Sequence, residues 1–341
     1  MKKYKKILIS GYYGFDNFGD ETILSVLVKK LYEFDTKIMV LSKSPIKTQR
    51  EHAVHSTFYM CPCLCLNHIF RCDILVSGGG SLLQDVTSVN SLLYYLFIIS
   101  VALLFRKKVI IFAQGLGPIN NKFVAMLTKF VLKRCSLVTV RDRKSKMILN
   151  KWGVDADLVC DPLFDLELPE YKPENKVGDQ LRKFKTLKFE FLTQLAEQIN
   201  KEFSDKEIEI YSFQDSLDLE VCKRFETILK TTNPQIKTSI VSNLTSQEVL
   251  NKFSKLEYLI GMRFHANLIA IRYGIKTLAL SYDIKVEKLA EEAEFPCLVL
   301  GKEANLDELF EKMKQVNPQS LVDYSNSKHF DWSKIIELTF L

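Results

Sequence analysis

No stretch of this 341-residue chain reads as a membrane span, a secretory leader, an internal repeat or a low-complexity tract. Met1-Lys-Lys-Tyr-Lys-Lys6 runs straight into Ile7–Ser10, an apolar run too short for a secretory signal. The longest uncharged run, Leu92–Phe105, would reach about 21 Å as a helix. That falls short of the roughly 30 Å hydrocarbon core of a bilayer. The run is expected to be a helix buried against a sheet, and its basic end, Arg106–Lys108, leaves contact with a bilayer interface as the alternative.

A concentrated basic stripe is also missing. The net charge is +6, but the 47 basic and 41 acidic residues are interspersed, and only Lys2–Lys6 and Arg106–Lys108 are dense. Nucleic-acid binders concentrate their charge on one face, so a nucleic-acid partner is not expected. An anionic membrane surface stays open as a partner. The eight cysteines are mostly dispersed and read as thiols, not as a disulfide framework. Cys61, Cys63 and Cys65, with His68 and Cys72 nearby, lack the two-to-four-residue gaps of zinc knuckles. They are expected in a loop, and no metal is expected.

What is present is an ordinary globular composition, 47% hydrophobic and 26% charged, in a chain longer than one typical core. Continuous apolar strands alternate with helices. In the first half the strands are Lys6–Ser10, Lys37–Leu41, Asp73–Ser77, Val109–Ala113 and Leu137–Val140. In the second half they are Glu207–Tyr211, Thr238–Val241, Glu257–Ile260 and Thr277–Leu280. Helices are expected near 21–32, 189–203, 217–229, 246–253, 263–273 and 286–292, with Thr245 and Glu248 as a capping box. This alternation predicts parallel sheets covered on both faces. The proline-bearing acidic stretch Asp161–Asn175 reads as the linker. The expected architecture is α/β, two Rossmann-like domains facing across a cleft. Residues 1–165 form the first, 176–315 the second, and 316–341 a tail that packs back on the first.

Strand-to-helix turns carry the chemistry, because ligands gather at the carboxyl ends of strands in such sheets. Gly11–Asp20 is glycine-rich but lacks dinucleotide-fingerprint spacing, and its Asp16 and Asp20 would repel a pyrophosphate. Tyr12, Tyr13, Gly14, Asp16 and Asn17 suit hydrogen bonds to sugar hydroxyls; the bland alternative is a tight turn in which Asp20 caps the helix. Gly79 and Gly80 in Ser77–Ser81 serve either a ligand or close packing, and Gln114 is placed to support the site. Arg141 follows a strand, either as a fork for a carboxylate or phosphate or as a surface partner of Asp142. In the second half Arg263, His265, Tyr282, Asp283 and Lys285 lie at two consecutive strand ends. Cations and a histidine there suit an anionic small molecule and proton transfer.

These stretches together resemble the polysaccharide pyruvyltransferase family, especially the bacterial branch that modifies cell-wall polymers. The matching segments are Ser10–Glu21, Ser77–Asp85, Ala113–Pro118, Arg141–Arg143, Gly261–His265 and Ser281–Val286, in order over most of the chain. The resemblance is weakest over residues 42–72 and after about residue 300. It implies a fold similar to GT-B glycosyltransferases, phosphoenolpyruvate as donor and no cofactor. It also implies a glycan acceptor, lipid-linked, at the inner face of the cytoplasmic membrane, so a cytoplasmic protein in peripheral membrane contact is expected. The product implied is a pyruvate ketal on one sugar, with phosphate released. N-acetylmannosamine of a cell-wall polymer is the expected acceptor sugar, ahead of galactose-type capsule units. The resemblance assigns Arg141, His265 and Lys285 to the donor, with Arg263 in support, and Asp20 to activity or the acceptor. The chemistry adds roles: His265 as the acid that protonates the enol carbon, Asp20 as the base. Ile284 stands where the family has proline, and Val177–Arg182 replaces a more apolar strand. The alternatives are a nucleotide-sugar-dependent glycosyltransferase and a non-catalytic glycan-assembly protein.

Overall fold

The computed structural model describes residues 4–86 and 88–340 and divides into two compact units. The basic run Lys2–Lys6 therefore begins outside the described residues. Unit 1 holds residues up to Asp165 together with the C-terminal segment from His329; unit 2 is Leu166–Lys328.

In unit 1 the order is β1 (Lys5–Ser10), α1 (Phe18–Tyr32), β2 (Thr36–Ser42), α2 (Pro45–His52), β3 (His55–Phe58), α3 (Pro62–Arg71) and β4 (Ile74–Ser77). Then come α4 (Val89–Leu104), β5 (Lys108–Gln114), α5 (Lys122–Leu132), β6 (Leu137–Val140), α6 (Arg143–Trp152) and β7 (Asp157–Leu158). All pairings are parallel, in the order β3-β2-β1-β4-β5-β6-β7. The chain thus winds outward from β1 in one direction, returns, and winds outward from β4 in the other. The buried sides of α3, α4 and α5 share one core with Leu8, Leu75, Val109 and Ile111 of the strands.

Unit 2 repeats the scheme with β8 (Lys176–Gln180), α7 (Phe189–Glu202), β9 (Glu207–Tyr211), α8 (Asp215–Thr232), β10 (Lys237–Val241), α9 (Ser246–Phe253) and β11 (Tyr258–Gly261). It continues through α10 (Phe264–Tyr273), β12 (Lys276–Ser281), α11 (Ile284–Glu292), β13 (Cys297–Val299), α12 (Leu306–Gln315) and α13 (Pro318–Asn326). Its parallel sheet runs β10-β9-β8-β11-β12-β13. The capping box expected at α9 is present: Thr245 accepts from the Glu248 N–H while Glu248 accepts from the Thr245 N–H.

Four features depart from expectation. The Cys61–Cys72 segment is a helix, α3, not a loop; Pro62 opens it and Cys65, Ile69 and Cys72 face the core. Burial pushes the Cys65 and Cys72 thiols up to about 11, so both stay protonated. The apolar α4 is only half-buried: Tyr95, Leu96, Ile98 and Ile99 enter the core while Leu93, Phe97 and Leu104 are exposed. Val177–Arg182, unreadable as an apolar strand, forms β8 at the centre of the second sheet. Its odd character comes from Asp179 and Gln180, both fully buried. Finally, α13 stays with unit 2, and the chain rejoins unit 1 only from His329. There Asp165 accepts from the Phe330 N–H and the Trp332 indole, Trp332 stacks on Phe112, and α14 (Ser333–Phe340) follows.

Candidate functional site

Each sheet has one place where the winding direction reverses, and there the loops leaving two neighbouring strands splay apart to leave a crevice at the carboxyl ends. In unit 1 the reversal lies between β1 and β4, in unit 2 between β8 and β11. Of the residues singled out from the sequence, Asp20 and Gly80 follow the strands of the first reversal and His265 a strand of the second; Gln114, Arg141 and Lys285 follow strands further along the two sheets.

At the first, Asp20 sits in the opening turn of α1, almost fully buried. The helix is capped by Asn17, not by Asp20: the Asn17 side-chain oxygen accepts from the Gly19 N–H, and its amide donates to Asp20 at 2.6 Å. Gly80, just past β4, has φ of +99°, and a Cβ there would lie 2.5 Å from an Asp20 carboxylate oxygen. Only glycine lets the backbone come this close in this conformation. Gln114 joins the loops: its carbonyl accepts from the Leu82 N–H, its amide donates to the Gly78 carbonyl, and its backbone carbonyl accepts from the Arg141 N–H. A register shift in β5 between Ile111 and Gln114, with Ala113 at φ +45°, turns Gln114 to this position. Asp20, Gly80, Gln114 and Arg141 therefore follow one another along the carboxyl ends of β1, β4, β5 and β6. Arg141 pairs with Asp161 at 2.5 Å rather than with Asp142, which caps α6.

Several acceptor-side expectations change at this turn. Tyr13 is fully buried, and its hydroxyl has no hydrogen-bond partner among the described residues. Burial, helped by Asp20, Glu21 and Tyr95, lifts its phenol well above the ordinary value. It is a core residue, and Gly78 exists to admit it: a Cβ on Gly78 would lie 1.9 Å from the Tyr13 oxygen. Gly79 packs against Ile23. The Gly14 N–H donates to Glu21 at 2.7 Å, and Asp16 is tied to Lys47 at the surface. Tyr12 stacks on Phe15 with ring centroids 4.0 Å apart and remains half-exposed.

At the second point, Arg263 is spoken for. Its Nε and Nη2 donate to both oxygens of Asp218 at 2.9 and 2.8 Å, deep in the unit, and its own N–H donates to Gln180. Burial pushes the Asp218 carboxyl up against the pull of Arg263. The expected donor cation is therefore a fixed strut at the start of α10. A guanidinium has no acceptor for helix N–H groups, so Arg263 at the N-cap leaves α10 without a side-chain cap. His265 is the second residue of that helix, half-buried, with its ring edge-on to Phe264. Lys285 lies in the first turn of α11, half-buried, not in a loop. Asp283 is the cap of that helix, accepting from the Lys285 N–H. Ile284 occupies the first helical position, which tolerates proline well because its N–H has no intrahelical partner.

Sequence reasoning missed Arg182. It lies two residues past β8, the strand that pairs with β11, and its Nη1 donates to the Tyr282 hydroxyl at 2.9 Å, its guanidinium carbon 5.4 Å from the Tyr282 ring centroid. Tyr282 also packs on Phe184. The signal was the position itself, a basic residue two places after a strand, hidden because β8 was not legible as one. A cavity of about 380 Å³ lies beside the carboxyl end of β13, lined by Lys188, Phe191, Leu300 and Lys302 among others. As for metals, among the described residues only Glu21, Glu51 and His52 bring three potential ligand atoms within 4.8 Å of one another. Glu21 already serves Gly14 and His52 there. The Cys61–Cys72 group forms no such set among the described residues.

The polysaccharide pyruvyl transferase family model matches residues 17–284. No curated protein matches the sequence. Among solved structures, the chain is similar to HepE from Anabaena in complex with UDP and glucose (12% identity, TM-score 0.65, 98% of each chain covered). It is also similar to a putative UDP-N-acetylglucosamine 2-epimerase from Listeria monocytogenes (13%, 0.64, 94% of each). A glycosyltransferase from Rickettsia africae matches at 12% identity and TM-score 0.63, covering 99% of this chain and 98% of that one. At these identities the likeness speaks to the fold alone, two Rossmann-like domains of the GT-B type.

Proposed function

The chain belongs to the polysaccharide pyruvyl transferase family, and on that premise we propose that it transfers the enolpyruvyl carbons of phosphoenolpyruvate to a sugar of a polysaccharide precursor. Two hydroxyls of one sugar are joined as a pyruvate ketal and phosphate is released. The observation that carries this reading is the set of groups along the second sheet: His265, Lys285 and Arg182 at the carboxyl ends of β11, β12 and β8.

Phosphoenolpyruvate has two anionic ends and one nucleophilic carbon. Lys285 and Arg182 supply positive charge, and the N-terminus of α10, left without a side-chain cap, offers backbone N–H groups to an anion. The family resemblance assigns Arg141 a donor-binding role, for which a guanidinium fork is suited. His265 protonates the methylene carbon, which leaves oxocarbenium character at the neighbouring carbon. A sugar hydroxyl adds there as Asp20 takes its proton. The proton held by Asp20 passes to the departing phosphate oxygen, and neutral His265 takes the proton of the second hydroxyl as it closes the ketal, which restores both groups. Each proton transfer of this kind contributes typically about 10²–10⁴-fold. Asn17 holds Asp20 in orientation. The acceptor is proposed to be lipid-linked, which places the protein at a membrane surface.

The test uses purified protein with phosphoenolpyruvate, a panel of glycan acceptors and phosphate detection. Acceptor-dependent phosphate release is expected, and His265→Ala should lower it by about 10²-fold or more with an unchanged melting temperature. Turnover of a nucleotide sugar with no phosphate from phosphoenolpyruvate would sink the reading in favour of a glycosyltransferase.

A further inference from the structure

Helices α3, α4 and α5 lie side by side over one face of the first sheet and share its core. Their outer sides are unusual. Phe70, Phe97, Leu104, Phe123, Met126 and Phe130 all stand exposed, Leu104 at 78% and Phe123 at 66%. The spacing is helical: Phe123, Met126 and Phe130 form one stripe on α5, and Leu93 and Phe97 one on α4. Large contiguous apolar surface on the outside of a domain marks an interaction site.

Charge on this face has one sign. Residues 59–72, 88–108 and 121–135 contain no Asp or Glu. They do contain Arg71, Arg106, Lys107, Lys122, Lys133 and Arg134, all wholly or partly exposed. The basic groups are interleaved with the rings: the Arg134 guanidinium lies 3.5 Å from the Phe130 ring centroid, and the Lys107 ammonium donates to the Phe70 carbonyl. Phe70 and Phe105 meet edge to face. The flanking acids are engaged elsewhere, Asp73 with the Lys6 N–H and Asp85 with the Asn120 and Asn121 N–H groups. No helix among the described residues is long and apolar enough to cross a membrane.

We propose that the α3–α4–α5 face docks on an anionic lipid bilayer, its aromatic and aliphatic side chains entering the interface and its basic residues meeting acidic headgroups. Apolar stripes carry the insertion, and cations set the preference for negative lipid. A protein partner would place mixed charge here, and a second copy of the chain would set this wholly basic face against itself. The inference rests on the first unit alone and stands apart from the chemistry proposed above.

The experiment is co-sedimentation of the full-length protein with vesicles. Vesicles of equal parts phosphatidylglycerol and phosphatidylcholine should bind it at least about tenfold better than pure phosphatidylcholine, with binding falling as salt rises. Phe97→Ser/Phe123→Ser/Phe130→Ser and, separately, Lys133→Glu/Arg134→Glu should each weaken binding about tenfold or more while phosphate release on a water-soluble acceptor is unchanged. Lys133 and Arg134 are exposed and lie outside the core, so charge reversal reads the same claim if the serine variant fails to fold. Equal binding to both lipid mixtures, no binding to either, or wild-type binding by both variants would overturn the proposal. So would a dimer in analytical ultracentrifugation that the serine variant disperses while vesicles capture nothing; that result would assign the face to a second copy. Loss of vesicle binding with intact turnover on the soluble acceptor leaves the catalytic reading untouched.

Discussion

Three buried polar residues divide structure from chemistry. Tyr13 looked like a sugar contact because it stands in a glycine-rich turn, yet its ring fills the space left by Gly78 and its hydroxyl has no partner among the described residues. An unpaired buried hydroxyl costs stability, so Tyr13→Phe should be neutral or stabilise by up to about 1 kcal/mol in a denaturant titration, with turnover retained. A large loss of turnover would return Tyr13 to the site. Arg263 shows the same lesson from the other side, since its bidentate bond to Asp218 holds the end of β11 against α8. Asp179 is the third: it is wholly buried, neither oxygen has a partner among the described residues, and burial lifts its carboxyl well above the ordinary 3.8. The folded state keeps a proton that the unfolded chain releases. Its contribution to stability is therefore full below the unfolded pKa and is lost as pH rises above it. Asp179→Asn should flatten that dependence, gaining stability over wild type at about pH 8 relative to about pH 5. Parallel melting curves for the two proteins across that range would show that Asp179 is not the source.

At the level of elements, strands were legible wherever both faces are apolar, as in Lys108–Gln114 and Lys276–Ser281. They were lost where buried polar groups interrupt the pattern, as in Lys176–Gln180, or where the strand is a short edge such as His55–Phe58 or Asp157–Leu158. Helix α3 was hidden by its cysteines, which suggested ligands before they suggested a core face. The positions of Asp20, Arg141, His265 and Lys285 at strand ends were readable because turns between strand and helix keep a simple order. The pairings of Arg141 with Asp161, of Arg263 with Asp218 and of Tyr282 with Arg182 were not, since each joins residues distant in sequence that only the fold brings together. One element carries a direct prediction. Asp283 caps the helix whose first turn holds Lys285. Removing the cap with Asp283→Ala should cost about 1 kcal/mol of stability. It should also raise the KM for phosphoenolpyruvate more than it lowers kcat, and Asp283→Ser should restore both. An unchanged KM would separate Lys285 from donor binding.

Across the whole molecule, two doubly wound units each present their candidate site residues at the carboxyl ends of a parallel sheet. That arrangement is common to enzymes of several reactions, so the fold by itself leaves the reaction open. The proposed transfer from phosphoenolpyruvate rests on the family match and on His265, Lys285 and Arg182 at the carboxyl ends of β11, β12 and β8; the related folds bound to UDP favour nothing beyond the architecture. The α3–α4–α5 face adds a place where such an enzyme would meet acceptors held in a membrane. The most direct measurement is the identity of the product formed from phosphoenolpyruvate labelled with carbon-13 at its central carbon. The protein should yield an acceptor sugar whose mass has risen by one pyruvic acid less one water, carrying the label at a quaternary ketal carbon, with one phosphate released per sugar. Label that stays in phosphoenolpyruvate, or that appears only as free pyruvate while the acceptor is unchanged, would contradict it.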